Sequence, residues 1–256
     1  MYKKSILKIG LFALGMCLTV GCMNNKNSES QESTSNNNIV AEENDNNKSD
    51  DVKKNDVEAG KYNIISETYK EGNISIEYPQ FKTKDGSEDD FTSKWNKILK
   101  DELISNDISS GSEPEVEFFN MGYEVKTNNN NIISLFFPIS YYFKDSPHPS
   151  TDCITYNIDI LKNKKIELQD DPNFSKYAES ILNDKNYSLK SDVLKSIDDE
   201  MLKEIKKSMY ENLEKSDVSK LKIQLKDQPF YYSDNKTIIS FYVHHAFGDY
   251  VLAVME

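Results

Sequence analysis

The chain has 256 residues, and its 31 basic residues are all Lys, against 43 Asp and Glu, for a net charge of -12. That balance, without a single Arg, argues against nucleic-acid binding, which needs a basic surface facing the phosphates. Charged residues at 29% and a mean hydropathy of -0.68 exclude a multi-span membrane protein.

Residues 1–22 divide into three parts. Lys3, Lys4 and Lys8 form a basic head, residues 9–20 form an apolar run, and Gly21-Cys22 closes the segment. The run is too short for a comfortable transmembrane helix, which needs roughly 20 apolar residues, but it suits the core of an export signal. A small residue before Cys22 resembles a bacterial lipoprotein signal, in which the Cys thiol is acylated and becomes residue one. Thr19 stands where that pattern usually has Leu, with Leu18 one place early. The alternative is an uncleaved signal anchor with an incidental Cys.

Residues 23–60 carry 9 acids and 4 Lys, no aromatic residue, and only Ile39, Val40, Val52 and Val57 as branched aliphatics. Such a segment buries too little apolar surface to offset the entropy of ordering, so the composition predicts a disordered acidic linker. As a flexible coil it spans roughly 30–35 Å.

Residues 61–256 hold 24 Lys and 34 acids and nearly all the aromatic residues. Strands are expected at 62–69 and at 74–79, the second from the alternation of Ile74, Ile76 and Tyr78 up to Pro79. Gly86-Ser87 should open a helix of about 20 residues, with Asp89 and Asp90 at its N-terminus. Phe91, Trp95, Ile98, Leu99 and Leu103 give it one apolar face. Strands at 115–126 and 132–143 follow, joined by a hairpin turn over Asn128 to Asn131, where Asn tolerates left-handed backbone angles.

A half-buried strand is expected at 151–160, then a turn at Asn163 leading to 166–168. Asp171-Pro172 reads as a helix start, Asp as cap and Pro in the first position. That helix should bury Phe174, Tyr177, Ala178, Ile181 and Leu182. A further helix is expected over 191–213, with Leu194, Ile197, Met201, Ile205 and Met209 on one face. Strands at 229–233, 237–243 and 250–254 end the chain, the first two joined by an Asp234-Asn235 turn. The order predicts an α+β fold of antiparallel sheets with helices packed on one face, in two tandem subdomains.

Several segments carry a family resemblance. They are the hairpin ending at Tyr141 to His148-Pro149, the strand 155–160 leading into Ile166-Glu167-Leu168-Gln169-Asp170, and the run 230–254 with its His244-His245-Ala246-Phe247-Gly248 bend. Together they resemble the extracytoplasmic region shared by lysozyme-sensing anti-sigma factors of the RsiV type and the non-catalytic N-terminal part of peptidoglycan deacetylases of the PdaC type. The resemblance implies a PdaC-like subdomain over 61–149 and an RsiV-like one over 150–256. Only Met1 to Lys8 precede the apolar run, and the chain is expected to lack the deacetylase domain of the PdaC type. The expectation is therefore a binding module without its effector, lipid-anchored at Cys22 on the outer face of the cell membrane. Its expected partners are lysozyme or peptidoglycan, without cofactor or catalysis.

The candidate binding surface comprises His148, His244, His245, Asp249 and Tyr250. The competing reading is a metal-dependent envelope hydrolase using His148 with His244 or His245 and a carboxylate from Asp145, Asp152 or Asp249. Adjacent His residues in a strand would point to opposite faces, so His244 and His245 should not chelate one ion together. Cys153, the only Cys beyond residue 22, reads as a buried apolar residue rather than a nucleophile. The chain contains no nucleophile elbow, phosphate-binding Gly loop, HExxH or CxxC pair. The adjacent acids Asp89-Asp90 and Asp198-Asp199 read as solvated charge.

Overall fold

The computed structural model describes residues 60–104, 115–190, 198–213 and 217–256. The signal, Cys22, the linker up to residue 59 and the first part, 191–197, of the helix expected over 191–213 lie outside the described residues. Those described belong to one compact unit, 56–256.

Two sheets form its centre. The first contains β1 (Asn63–Glu71), β2 (Ile74–Lys82), β3 (Val116–Met121), β4 (Glu124–Asn128), β5 (Ile132–Phe143), β6 (Ser150–Asp159) and β7 (Lys164–Lys165), in the order β1-β2-β3-β5-β6-β7 with β4 also on β5. Only β2 and β3 pair in parallel; the other pairs are antiparallel. The second has the order β8-β11-β10-β9, from β8 (Tyr187–Lys190), β9 (Phe230–Ser233), β10 (Lys236–Tyr242) and β11 (Tyr250–Met255). The helices are α1 (Asp90–Ile104), α2 (Phe174–Leu182), α3 (Asp199–Glu211) and α4 (Val218–Leu225). The fold is α+β, as expected. The boundary expected between residues 149 and 150 falls inside the first sheet, because β6 pairs with β5 from Ile132↔Asp159 to Tyr141↔Ser150.

Helix α1 starts later than the sequence suggests because a reciprocal cap fixes its first turn. Asp89 Oδ1 accepts the Thr92 N–H at 2.8 Å, and Thr92 Oγ1 accepts the Asp89 N–H at 2.8 Å. Gly86 belongs to the preceding turn, at φ +85°. The helix buries Phe91, Trp95, Leu99 and Leu103 against the sheet.

The single strand expected over 115–126 is two strands. They interrupt at Gly122-Tyr123, opposite Pro138 of β5. Pro138 offers its carbonyl to the Gly122 N–H at 3.2 Å but has no N–H to return, so the ladder breaks there. Pro79, in turn, does not end its strand. β2 has a neighbour on both sides only at Ile74 to Ile76, and beyond that an open side tolerates a residue without N–H. The hairpin turn at 128–131 forms without left-handed Asn. Instead Asn129 Oδ1 accepts the N–H groups of Asn131 and Ile132, each at 2.8 Å. Left-handed angles occur at Asn163, Asp234 and Asn235, where turns were expected.

Strand β6 is covered on both faces rather than half-buried. Tyr156 and Ile158 pack on the α1 side, while Cys153, Thr155 and Asn157 meet the second sheet. There the outward edge of β9 is satisfied by side chains. Thr155 Oγ1 accepts the Phe230 N–H at 3.0 Å, and Asn157 Nδ2 donates to the Phe230 carbonyl at 2.7 Å. Ser134 Oγ accepts the Tyr232 N–H at 2.9 Å, and Thr127 Oγ1 donates to the Tyr232 carbonyl at 2.7 Å. Phe136, Cys153, Tyr231, Ile238 and Val254 form the apolar cluster between the sheets. The opposite face of the second sheet, with Ile239, Phe241, Val251 and Ala253, packs on Tyr177, Ile181, Ile205, Met209, Leu221 and Leu225 of the helices. The layers are therefore helix, sheet, sheet, helices.

Asp171 does not cap a helix with Pro172 in first position. α2 begins two residues later, after Asn173. The Asp171 carboxylate is buried, accepting from the Asn173 N–H at 2.8 Å and from the hydroxyls of Tyr177, Tyr232 and Thr237 at 3.1–3.3 Å. Strand β8 and helix α4 were not anticipated.

Candidate functional site

His244 and His245 do not lie in a strand. β10 stops at Tyr242, and the chain turns through a short 3-10 segment, His245–Phe247, before Gly248 at φ +97° and Asp249 at φ +68°. Such a double left-handed bend is why Gly stands at 248.

The bend docks on the start of β6. Asp249 is 6% exposed, and its Oδ2 accepts the Thr151 N–H at 2.7 Å and the Thr151 hydroxyl at 3.2 Å. The same hydroxyl also lies 2.8 Å from the Gly248 carbonyl. Asp249 Oδ1 lies 3.0 Å from His245 Nδ1. A carboxylate only accepts, so Nδ1 carries the proton. His148, from the β5–β6 loop, stacks on the His245 ring with centroids 3.4 Å apart and planes 9° from parallel. Its Nδ1 lies 3.1 Å from the Pro149 carbonyl, which fixes the same tautomer.

His244 leaves in another direction. Its N–H donates to Ser208 Oγ at 2.7 Å, and its Nε2 lies 3.5 Å from Glu211 of α3. An open cavity of about 560 Å³ separates α3 from the bend, lined by the three His residues with Lys207, Glu211 and Phe247 among others.

Metal chemistry needs converging lone pairs. In His148 and His245 the free lone pair is on Nε2 and lies in the ring plane. Two parallel rings at this separation cannot aim both at one ion at about 2.0–2.1 Å. Among the described residues no three His, Cys, Asp or Glu side chains are grouped to hold a metal. Asp145 sits on the exposed loop at φ +65°.

The surroundings are acidic and aromatic. Burial, reinforced by Asp249, lifts the Asp152 carboxyl above its ordinary range. Burial and then Asp152 raise the phenol of Tyr141, with Asp249 and Tyr242 adding to the shift. Tyr250 is raised chiefly by burial, and it pairs across the sheet with Tyr242, which is 53% exposed. Cys153 is buried, its thiol pushed up to about 12 by desolvation.

His148, His245 and Asp249 thus come together, while His244 reaches the same cavity from its α3 side and the Tyr250 ring packs on Phe136 at the cluster between the sheets. Thr151, Ser208 and Glu211 were not anticipated. Thr151 works partly through its backbone, which no side-chain pattern announces, and Ser208 and Glu211 read simply as one side of an amphipathic helix.

No family model matches the chain, and no curated protein does. Among solved structures, a DUF3298 family member from Bacteroides fragilis is similar at 10% identity and a TM-score of 0.44, over 77% of this chain and 91% of that one. A second, from Pseudomonas aeruginosa, is similar at 10% identity and a TM-score of 0.31, over 47% of this chain and 65% of that one. Both are DUF3298 proteins.

Proposed function

We propose that the chain is a lipid-anchored, non-catalytic binding domain on the extracytoplasmic face of the cell membrane, and that its partner is a cationic wall-active protein of the lysozyme kind. The observation that carries the binding reading is the joined surface made by the β5–β6 loop and the β10–β11 bend. Asp249 pins the bend to Thr151, and the His148–His245 stack closes it. Tyr141 and the exposed Tyr242, with the Asp152 carboxyl near them, offer ring faces and negative charge, a combination suited to cationic side chains. The net charge of -10 over 61–256 would steer a basic protein toward it. The anchor rests on the basic head, apolar run and Gly21-Cys22 of the sequence.

Retention of hen lysozyme by the immobilised full chain at low salt, reduced several-fold in Tyr242→Ala, is the expected result. Retention of isolated peptidoglycan instead would move the partner to the wall polymer, and retention of neither would remove the binding reading. Incorporation of labelled palmitate, abolished by Cys22→Ala, tests the anchor.

A further inference from the structure

We propose that the turn between β6 and β7 docks on an anionic lipid surface, with Leu161 entering between the headgroups and the lysines around it meeting their phosphates. Leu161 is 77% exposed, the most exposed large apolar side chain among the described residues. Its turn is fixed at several points. Asp159 Oδ1 accepts the Lys162 N–H at 2.8 Å, and the Ile160 N–H donates to the Asn131 carbonyl at 2.8 Å. Trp95 Nε1 donates to Asn163 Oδ1 at 2.8 Å, and Lys94 Nζ donates to the Asn163 carbonyl. The leucine is therefore displayed on a braced mount.

Four lysines lie nearby: Lys162 of the turn, Lys164 and Lys165 of the edge strand β7, and Lys94 of α1, whose Nζ meets Asn163 of the turn. Lys97 lies one turn further along the same side of that helix. Lys162, Lys164 and Lys165 have acidic neighbours in Asp159, Asp170 and Glu167, at 2.9, 3.9 and 3.7 Å. Such pairs at the surface are weak and screened by salt, so headgroup phosphates can compete for the lysines. Elsewhere the domain is strongly acidic and is repelled by an anionic surface, so this lysine-rich end decides which side turns toward it. One leucine and a few lysines bind a bilayer weakly by themselves. The proposal therefore rests on the lipid-anchor reading, which supplies the high effective concentration that makes a weak contact count.

The test is lysine acylation of the full chain, read residue by residue by peptide mass spectrometry. The chain is mixed with phosphatidylglycerol vesicles, phosphatidylcholine vesicles or glycerophosphate at equal phosphate. Lys162, Lys164 and Lys165 should lose at least three-fold in reactivity on phosphatidylglycerol alone, relative to Lys226. The protection should vanish at 0.5 M salt and shrink in Leu161→Ser. Equal reactivity on the two vesicles, or equal protection by glycerophosphate, overturns the proposal. Vesicle flotation of the same samples is a separate readout: chain that floats with unprotected lysines retains the anchor and loses the docking. Chain that neither floats nor incorporates palmitate loses the anchor.

Discussion

Asp249 and Thr151 are 98 residues apart in sequence, yet the carboxylate of one accepts both the backbone N–H and the hydroxyl of the other. This contact holds the second sheet's bend against the first sheet. Asp249→Ala strands a Thr151 N–H and releases His245, and it places Ala at φ +68°. The expected cost is about 1–3 kcal/mol from the unsatisfied group, with further loss from the backbone angle. Asn, which accepts hydrogen bonds and tolerates that angle, should recover most of it. Urea unfolding of the two variants checks the order, and ring-current shifts of His148 should disappear only in the Ala variant.

Asn157→Ala removes the donor to the Phe230 carbonyl at the edge of β9. The buried carbonyl is left without that partner, at about 1–3 kcal/mol. The Phe230 and Tyr232 amides, capped by Thr155 and Ser134, should exchange with deuterium faster in the variant than in the parent, while those of β10 change less.

Asp152 is held above its ordinary range by burial and by Asp249, so its charged form opposes folding. Folding favours its proton, and stability falls as pH rises through the folded-state value. Asp152→Asn keeps an acceptor for the Cys153 N–H and removes the charge. The variant should therefore melt higher than the parent at pH 7, and the advantage should fade as the parent's carboxyl becomes protonated in acid.

Asp184 shows the opposite sign. Burial pushes its carboxyl up, but hydrogen bonds from Tyr187, Lys206 and Tyr210 outweigh that and hold it at about 2. Its contribution is present above the unfolded value near 3.8 and is lost as pH falls toward 2. Asp184→Asn should thus lower the melting temperature at pH 6 and narrow the difference below pH 3. A scan of both proteins from pH 2 to 7 reads this directly.

Cys153 should be inert while the protein is folded. With its thiol pushed up to about 12 and its side chain between the sheets, the thiolate is scarce and shielded. Modification by a soluble disulfide at pH 8, followed on the Cys153 peptide, should proceed only at the rate of unfolding and rise sharply in urea.

The sequence is most legible where one signal acts alone. Alternation at Ile74, Ile76 and Tyr78 marks β2, and the spacing of Phe91, Trp95 and Leu99 marks the buried side of α1. The misread features depend on partners distant in the chain. Pro138 interrupts a strand that sequence shows as continuous, and Thr155 and Asn157, polar members of a strand that reads as half-buried, are the cap of another sheet. Asp171 carries a cap signature, but Tyr177, Tyr232 and Thr237 draw its carboxylate inward. At the candidate site, the imidazoles and Asp249 were visible as chemistry. The stack that sets their lone pairs side by side was not, because it depends on how two loops from different sheets meet.

The side-chain cap on β9 bears on how the protein can be dissected. Scissors placed at residue 149 would part β5 from β6, strip β9 of its Ser134 and Thr127 partners and leave two fragments with raw ladders, each prone to recruit foreign strands. Expression as separate halves should give aggregates, and co-expression of the halves should restore solubility.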